Sequence, residues 1–73
     1  MDLKKYIRSI QDYPKKGILF RDITTLIKNA AAFKDCIDQM SKILNTLNYD
    51  KIAAIESRGF IFASPLSYNL SKP

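Results

Sequence analysis

The chain has 73 residues, of which 47% are hydrophobic and 26% charged, and its 12 Lys and Arg against 7 Asp and Glu give a net charge of +5. This composition is ordinary for a globular domain and argues against an intrinsically disordered chain. A single cysteine and the absence of histidine exclude an internal disulfide and a Cys/His zinc centre. The net charge suits an anionic partner, of which nucleic acid is only one kind.

The N-terminal stretch, residues 1–10, places apolar side chains at helical spacing behind Asp2, which can act as an N-cap. We therefore expect a short amphipathic helix, with its basic face solvated rather than bound to nucleic acid or membrane. The charges in this stretch do not fit a secretory signal, and no apolar run reaches the roughly 18 residues that cross a bilayer. The expected protein is cytoplasmic and contacts neither membrane nor nucleic acid.

The middle of the chain predicts a loop, an extended segment and a long helix. Pro14 and Gly17 bracket the loop, and residues 18–28 are expected to run extended into a short helical turn. From residue 30 to about 47, apolar side chains recur at the steps of one helix face, with Asn29 as the cap. These side chains are Phe33, Cys36, Ile37, Met40, Leu44 and Leu47. The cysteine among them is expected to be a small buried hydrophobe rather than a reactive thiol.

The C-terminal third predicts a strand followed by a loop and a helix. Residues 51–55, KIAAI, form a short bounded apolar run that is typical of a strand buried on both faces of a parallel sheet. Helical periodicity resumes after Gly59, and Pro65 is expected to kink that helix. The residues at helical spacing in this segment are Phe60, Ile61, Ser64, Pro65 and Tyr68. This order of elements predicts an α/β fold.

The loop ESRG, residues 56–59, lies where the predicted strand ends and a helix begins. Free backbone N–H groups at a helix N-terminus form an anion site, so Arg58 can pair with a phosphate and Ser57 can donate its hydroxyl. Gly59 would let the backbone approach the ligand closely. On spacing alone, a structural turn with a surface salt bridge is the more common outcome.

A second cluster is the run GILFRDI at residues 17–23. Its phenylalanine, Phe20, offers a face on which a flat aromatic ligand can stack while neighbouring backbone groups hydrogen bond to the ligand's edge. A core phenylalanine beside a surface pair of Arg21 and Asp22 explains the same residues. The pattern alone favours this structural explanation.

Together, the runs PKKGILFRDITTLIKN, AAFKDCID and KIAAIESRGFIFASPLSYNL closely resemble the N-terminal part of the adenine phosphoribosyltransferase family, which are type I phosphoribosyltransferases. The resemblance covers about residues 10–70, and its motifs GILFRDIT and ESRGFIF are long and occur in the right order. It implies the N-terminal portion of a type I phosphoribosyltransferase fold, with two helices, an extended base-binding loop, the first core strand and a following helix. Residues 1–73 would form a partial domain with an incomplete sheet.

The resemblance also implies a reaction, in which adenine and 5-phosphoribosyl 1-pyrophosphate, with Mg²⁺, give AMP and pyrophosphate. In the family, the backbone at the positions matching Leu19 and Arg21 addresses the adenine edge, and the position matching Phe20 packs on the base. The loop that contacts the pyrophosphate, with a non-proline cis peptide between its first two positions, matches Glu56, Ser57, Arg58 and Gly59.

The chain departs from the family pattern in two ways. Lys16 stands where the family usually has a second proline, which should loosen the loop. The family's catalytic loop and its acidic, Gly- and Thr-rich phosphate loop have no counterpart, so no catalytic residue and no metal ligand is assigned. We therefore expect a truncated or split enzyme that is marginally stable and inactive alone, in a homo-oligomer or with a complementary fragment. The alternative is a non-catalytic interaction module that pairs with a full-length subunit or such a fragment.

Overall fold

The protein, seen in a computed structural model that describes residues 2–73, divides into two compact units, one extending to Cys36 and the other spanning Ile37–Pro73. In chain order the elements are a 3-10 helix Leu3–Tyr6, strands β1 Arg8–Gln11 and β2 Leu19–Asp22, and helices α1 Thr24–Ile27, α2 Ala30–Leu44 and α3 Arg58–Leu70. Within residues 2–73, no helix is both long enough and apolar enough to cross a bilayer.

The N-terminal stretch is only in part the helix that its periodicity predicts. Asp2 is the N-cap, as expected, and its side chain accepts a hydrogen bond from the backbone N–H of Lys4 at 3.2 Å. The helix is a single 3-10 turn, however, and β1 follows it directly. The prediction of a helix to residue 10 is wrong because β1 pairs antiparallel with β2, and such long-range pairing overrides a weak local preference.

The loop between β1 and β2 lies where Pro14 and Gly17 predicted it. Its backbone is closed by two hydrogen bonds, from Tyr13 N–H to the carbonyl of Ile18 at 3.1 Å and from Gly17 N–H to Asp12 Oδ1 at 2.8 Å. Gly17 has φ of 87°, a left-handed conformation that favours glycine. The Tyr13–Pro14 peptide bond is cis.

The extended segment and the helices that follow β1 agree with the sequence. β2 runs into the one-turn helix α1, and Asn29 Oδ1 accepts a hydrogen bond from Ala32 N–H at 3.0 Å, which caps α2. α2 ends at Leu44, so Leu47 lies beyond the helix and is exposed. The buried apolar side chains of these elements are Leu26, Ala32 and Ile37.

Residues 51–55 do not form a strand within this chain. Their backbone makes two hydrogen bonds to residues that follow, from Ile52 N–H to the carbonyl of Pro73 at 2.7 Å and from Gly59 N–H to the carbonyl of Ile55 at 3.1 Å. The sheet is therefore incomplete at this position, as expected, but burial of both faces is wrong, since Ile55 is 87% exposed. A strand requires a hydrogen-bonded neighbour, and residues 2–73 place none beside this run.

Helix α3 begins two residues earlier than predicted, at Arg58, and continues through Pro65. Leu66 is its buried residue. The side chains at the predicted spacing instead reach the surface, with Phe60 and Ile61 exposed and Tyr68 87% exposed. The buried side of α3 therefore carries Leu66, which is not among the residues of the predicted spacing.

Candidate functional site

The predicted base-binding segment is strand β2. Side chains alternate along it, so that Leu19 and Arg21 are exposed while Phe20 is half-buried and Asp22 is buried. The Phe20 ring contacts the Tyr13 ring edge to face, with centroids 5.2 Å apart and planes inclined by 67°. The strand therefore presents one half-buried aromatic ring between two exposed neighbours.

Arg21 lies on the face of the hairpin opposite Phe20. Its guanidinium Nη1 donates to the hydroxyl of Ser9, the residue directly across from it on β1. A surface cleft of about 450 Å³ on the same side is lined by Lys4, Ile7, Arg21 and Ile23. The cross-strand hydrogen bond holds the arginine side chain at the margin of this cleft.

Asp22, the next residue, is the buried acid of the hairpin, with 6% of its surface exposed. Its Oδ2 accepts from Arg8 Nε at 3.0 Å and Nη2 at 2.5 Å, and its Oδ1 accepts from Thr24 N–H at 2.9 Å and the Thr24 hydroxyl at 2.7 Å. The Thr24 hydrogen bonds, with a smaller contribution from the Arg8 guanidinium, lower the pKa of Asp22 from 3.8 to about 2. The predicted Arg21–Asp22 surface pair is thus replaced by a pair of Asp22 with Arg8.

Sequence reasoning missed this Arg8–Asp22 pair because the two residues are 14 positions apart and β1 was assigned to a helix. The pair is defined by the strand register, in which Arg8 lies directly opposite Asp22. Recognising residues 8–11 and 19–22 as a hairpin on either side of the Pro14–Gly17 loop would have found it.

The predicted pyrophosphate loop, residues 56–59, joins residues 51–55 to helix α3. The peptide bond between Glu56 and Ser57 is cis, as the resemblance implies. Ser57 is the N-cap residue of α3, and its side chain makes no capping hydrogen bond. Glu56, Ser57 and Arg58 are all exposed, and α3, which begins at Arg58, has 13 residues. A helix start of this kind suits an anion.

Gly59 is the half-buried member of this loop. Its N–H donates to the carbonyl of Ile55 at 3.1 Å, and a Cβ added to it would lie 3.2 Å from the Cβ of Ala54. The glycine therefore allows α3 to approach the preceding segment closely. The sequence had suggested a different role for this glycine, the close approach of its backbone to a ligand.

The two clusters lie in different units, Leu19–Asp22 in the first and residues 56–59 in the second. Across residues 2–73, no group of three or more His, Cys, Asp or Glu side chains is arranged to hold a metal ion.

Cys36 is half-buried, and its burial, with the charge of Asp35, raises the pKa of its thiol, consistent with a structural cysteine.

Comparison with known proteins gives one consistent result. Over all 73 residues, the chain is 68% identical to adenine phosphoribosyltransferase of Pelagibacter ubique, of which it covers 42%. The crystal structure of adenine phosphoribosyltransferase from Thermoanaerobacter pseudethanolicus matches 97% of the chain with a TM-score of 0.92 and 48% identity, over 42% of that structure. The enzyme from Giardia lamblia, crystallised with 9-deazaadenine, matches 97% with a TM-score of 0.87 and 30% identity, over 39% of its chain. No family model matches the sequence.

The chain thus spans about two fifths of the length of the curated relatives that it matches. It corresponds to the N-terminal part of adenine phosphoribosyltransferases, and it has the N-terminal portion of the type I phosphoribosyltransferase fold.

Proposed function

We propose that this chain supplies the adenine-binding segment and the pyrophosphate-binding loop of an adenine phosphoribosyltransferase, which forms AMP and pyrophosphate from adenine and phosphoribosyl pyrophosphate. The observation that carries the proposal is the 68% identity to such an enzyme over all 73 residues.

At the adenine end, the proposed contacts are made by Leu19, Phe20 and Arg21. The exposed edge of β2 leaves backbone groups for the polar edge of the purine, and the Phe20 ring offers a face on which the base can stack. The hairpin register holds the strand in place on its other side. The complex of the Giardia lamblia enzyme with 9-deazaadenine is consistent with a purine-like ligand at the corresponding fold.

At the pyrophosphate end, the proposed contacts are made by Glu56, Ser57, Arg58 and Gly59. Arg58 supplies a permanent positive charge with a planar set of donors, and the Ser57 hydroxyl supplies a further donor. The start of α3 adds the partial positive charge of its first turn. These groups bind and orient the leaving pyrophosphate, and none of them acts as a nucleophile or a base in the proposal.

Mg²⁺ enters the proposal as part of the donor substrate, whose phosphates it would bind and whose charge it would neutralise. Residues 2–73 contain no cluster of three metal-ligating side chains, so no residue of this chain is assigned to the metal. The site of action in the proposal is the cytoplasm.

A chimera tests the proposed function. This chain replaces the matching 42% of the Pelagibacter ubique enzyme, so that the remaining segment of that relative completes the fold. We expect the chimera to form AMP from adenine and phosphoribosyl pyrophosphate with Mg²⁺. The Arg58→Ala chimera should have a raised KM for phosphoribosyl pyrophosphate and an adenine KM within about twofold of the parent. A folded chimera without activity would contradict the proposal.

The 73-residue chain by itself is proposed to be inactive. Some of its apolar side chains are exposed, among them Ile55. A cavity of about 420 Å³ in the second unit is lined by apolar residues of α2, α3 and the segment 51–55. In the proposal, the remaining segment of the fold covers this surface. Activity that appears only when the chain is mixed with that segment supports a split enzyme, whereas AMP formation by the chain alone would contradict it.

A non-catalytic interaction module is the second candidate, favoured by the same exposed apolar surface. It would bind a full-length subunit of the enzyme without restoring or adding activity. Co-purification of the chain with the complete Pelagibacter ubique enzyme, at unchanged AMP formation per active subunit, distinguishes it from the split enzyme.

A further inference from the structure

Tyr13 lies in the loop between β1 and β2, outside the segment assigned to the base. Its side chain is 51% exposed, yet its ring makes the edge-to-face contact with Phe20. Aromatic rings prefer this geometry because the positive edge of one ring meets the negative face of the other. The orientation of the Phe20 ring is therefore coupled to the position of Tyr13.

The backbone holds Tyr13 in place for this contact. Its N–H donates to the carbonyl of Ile18 at 3.1 Å, which closes the loop just before β2 begins. Ile10 lies directly across from Phe20 on β1 and is half-buried on the same face of the hairpin. Phe20 thus has a cross-strand neighbour and a loop neighbour, and both restrict the rotation of its ring.

We infer that Tyr13 is a positioning residue of the adenine site, which holds the plane of the Phe20 ring so that its face is presented to the purine. The inference rests on the proposed function, because Phe20 is assigned to the base there. Stacking depends on the relative orientation of two ring planes, so a Phe20 ring that rotates stacks less well on adenine. Tyr13 acts through Phe20 and is assigned no contact with the substrate.

The test uses the chimera and two variants, Tyr13→Leu and Tyr13→Phe. Tyr13→Leu keeps an apolar side chain but removes the ring, so the adenine Kd from titration calorimetry should rise about threefold to tenfold, the range expected for an aromatic pair. The KM for phosphoribosyl pyrophosphate should stay within about twofold. Tyr13→Phe keeps the ring and loses only the hydroxyl, so adenine affinity should return to within about twofold of the parent.

A second comparison separates positioning from a general structural effect. In a Phe20→Leu background, Tyr13→Leu should have no further effect on adenine affinity, because the ring that it positions is gone. An adenine Kd unchanged by Tyr13→Leu, an equal loss in the Phe20→Leu background, or an equal rise in KM for both substrates would each overturn the inference. If the parent chimera binds no adenine, the proposed function and the inference are both overturned. If the parent binds adenine and the Tyr13→Leu variant binds it with the same Kd, only the inference is overturned.

Discussion

The close approach of Gly59 to Ala54 predicts that Gly59→Ala destabilises the protein although it places a better helix former in α3. The added Cβ would lie 3.2 Å from the Ala54 Cβ, inside the roughly 3.5–4.0 Å at which two carbon atoms attract most strongly. Overpacking of this kind costs about 1–3 kcal/mol, and the helix preference of alanine over glycine returns about 0.5–1 kcal/mol. We therefore expect a net loss of up to about 2.5 kcal/mol in the free energy of unfolding of the chimera.

The matched background is Ala54→Gly, which removes the Cβ that the new side chain meets. The next nearest atoms of Ala54, its carbonyl carbon and Cα, are both 3.7 Å away, an ordinary contact distance. In this background Gly59→Ala should stabilise by about 0.5–1 kcal/mol, since only the helix preference remains. Urea unfolding of the four proteins gives the coupling free energy directly.

Two results would refute this reasoning. If Gly59→Ala stabilises the chimera equally in both backgrounds, the glycine is not required for packing against Ala54. If Gly59→Ala destabilises equally in both, the cost arises elsewhere. The KM for phosphoribosyl pyrophosphate adds a second readout, because a KM that stays raised in the Ala54→Gly background indicates a separate role of Gly59 in binding pyrophosphate.

The remaining predictions concern three residues of the first unit. Because its folded pKa of about 2 lies below the ordinary 3.8, ionised Asp22 stabilises the fold fully above that ordinary value, and the contribution is lost as the pH falls through about 2. The difference between the urea midpoints of the parent and Asp22→Asn chimeras should therefore stay constant from pH 7 down to about 3.8 and narrow as the pH falls from there towards about 2, and a difference that does not narrow in that range would contradict the assignment. Gly17→Ala places a Cβ at φ of 87° and should lower the free energy of unfolding by about 1–2 kcal/mol. The control Lys16→Ala, at the neighbouring position, should lower it by less than about 0.5 kcal/mol. Equal losses for the two variants would contradict the left-handed turn. Since its pKa is raised, the Cys36 thiol should react with iodoacetamide more slowly than free cysteine at pH 8, and an equal rate would contradict its burial.

Much of the chain could be predicted from its sequence because the interactions involved are local. The long helix and its cap at Asn29 follow from side chains within one or two turns of each other, and Asn29 Oδ1 accepts from the N–H only three residues away. The loop between the strands follows from Pro14 and Gly17 in the same way. The cis peptide after Glu56 was expected from the resemblance, which was carried by two long motifs.

What only the tertiary structure decided are the contacts between residues far apart in the chain. β1 pairs with β2 where a helix was predicted, and this pairing places Arg8 beside Asp22. The loop between the two strands places Tyr13 in contact with Phe20. Residues 51–55 have the composition of a buried strand, but a strand exists only where another segment accepts its hydrogen bonds. Composition and periodicity indicate which secondary structure a segment prefers. The secondary structure that it adopts also depends on the free energy gained from contacts with residues far away in the sequence, which the local sequence does not specify.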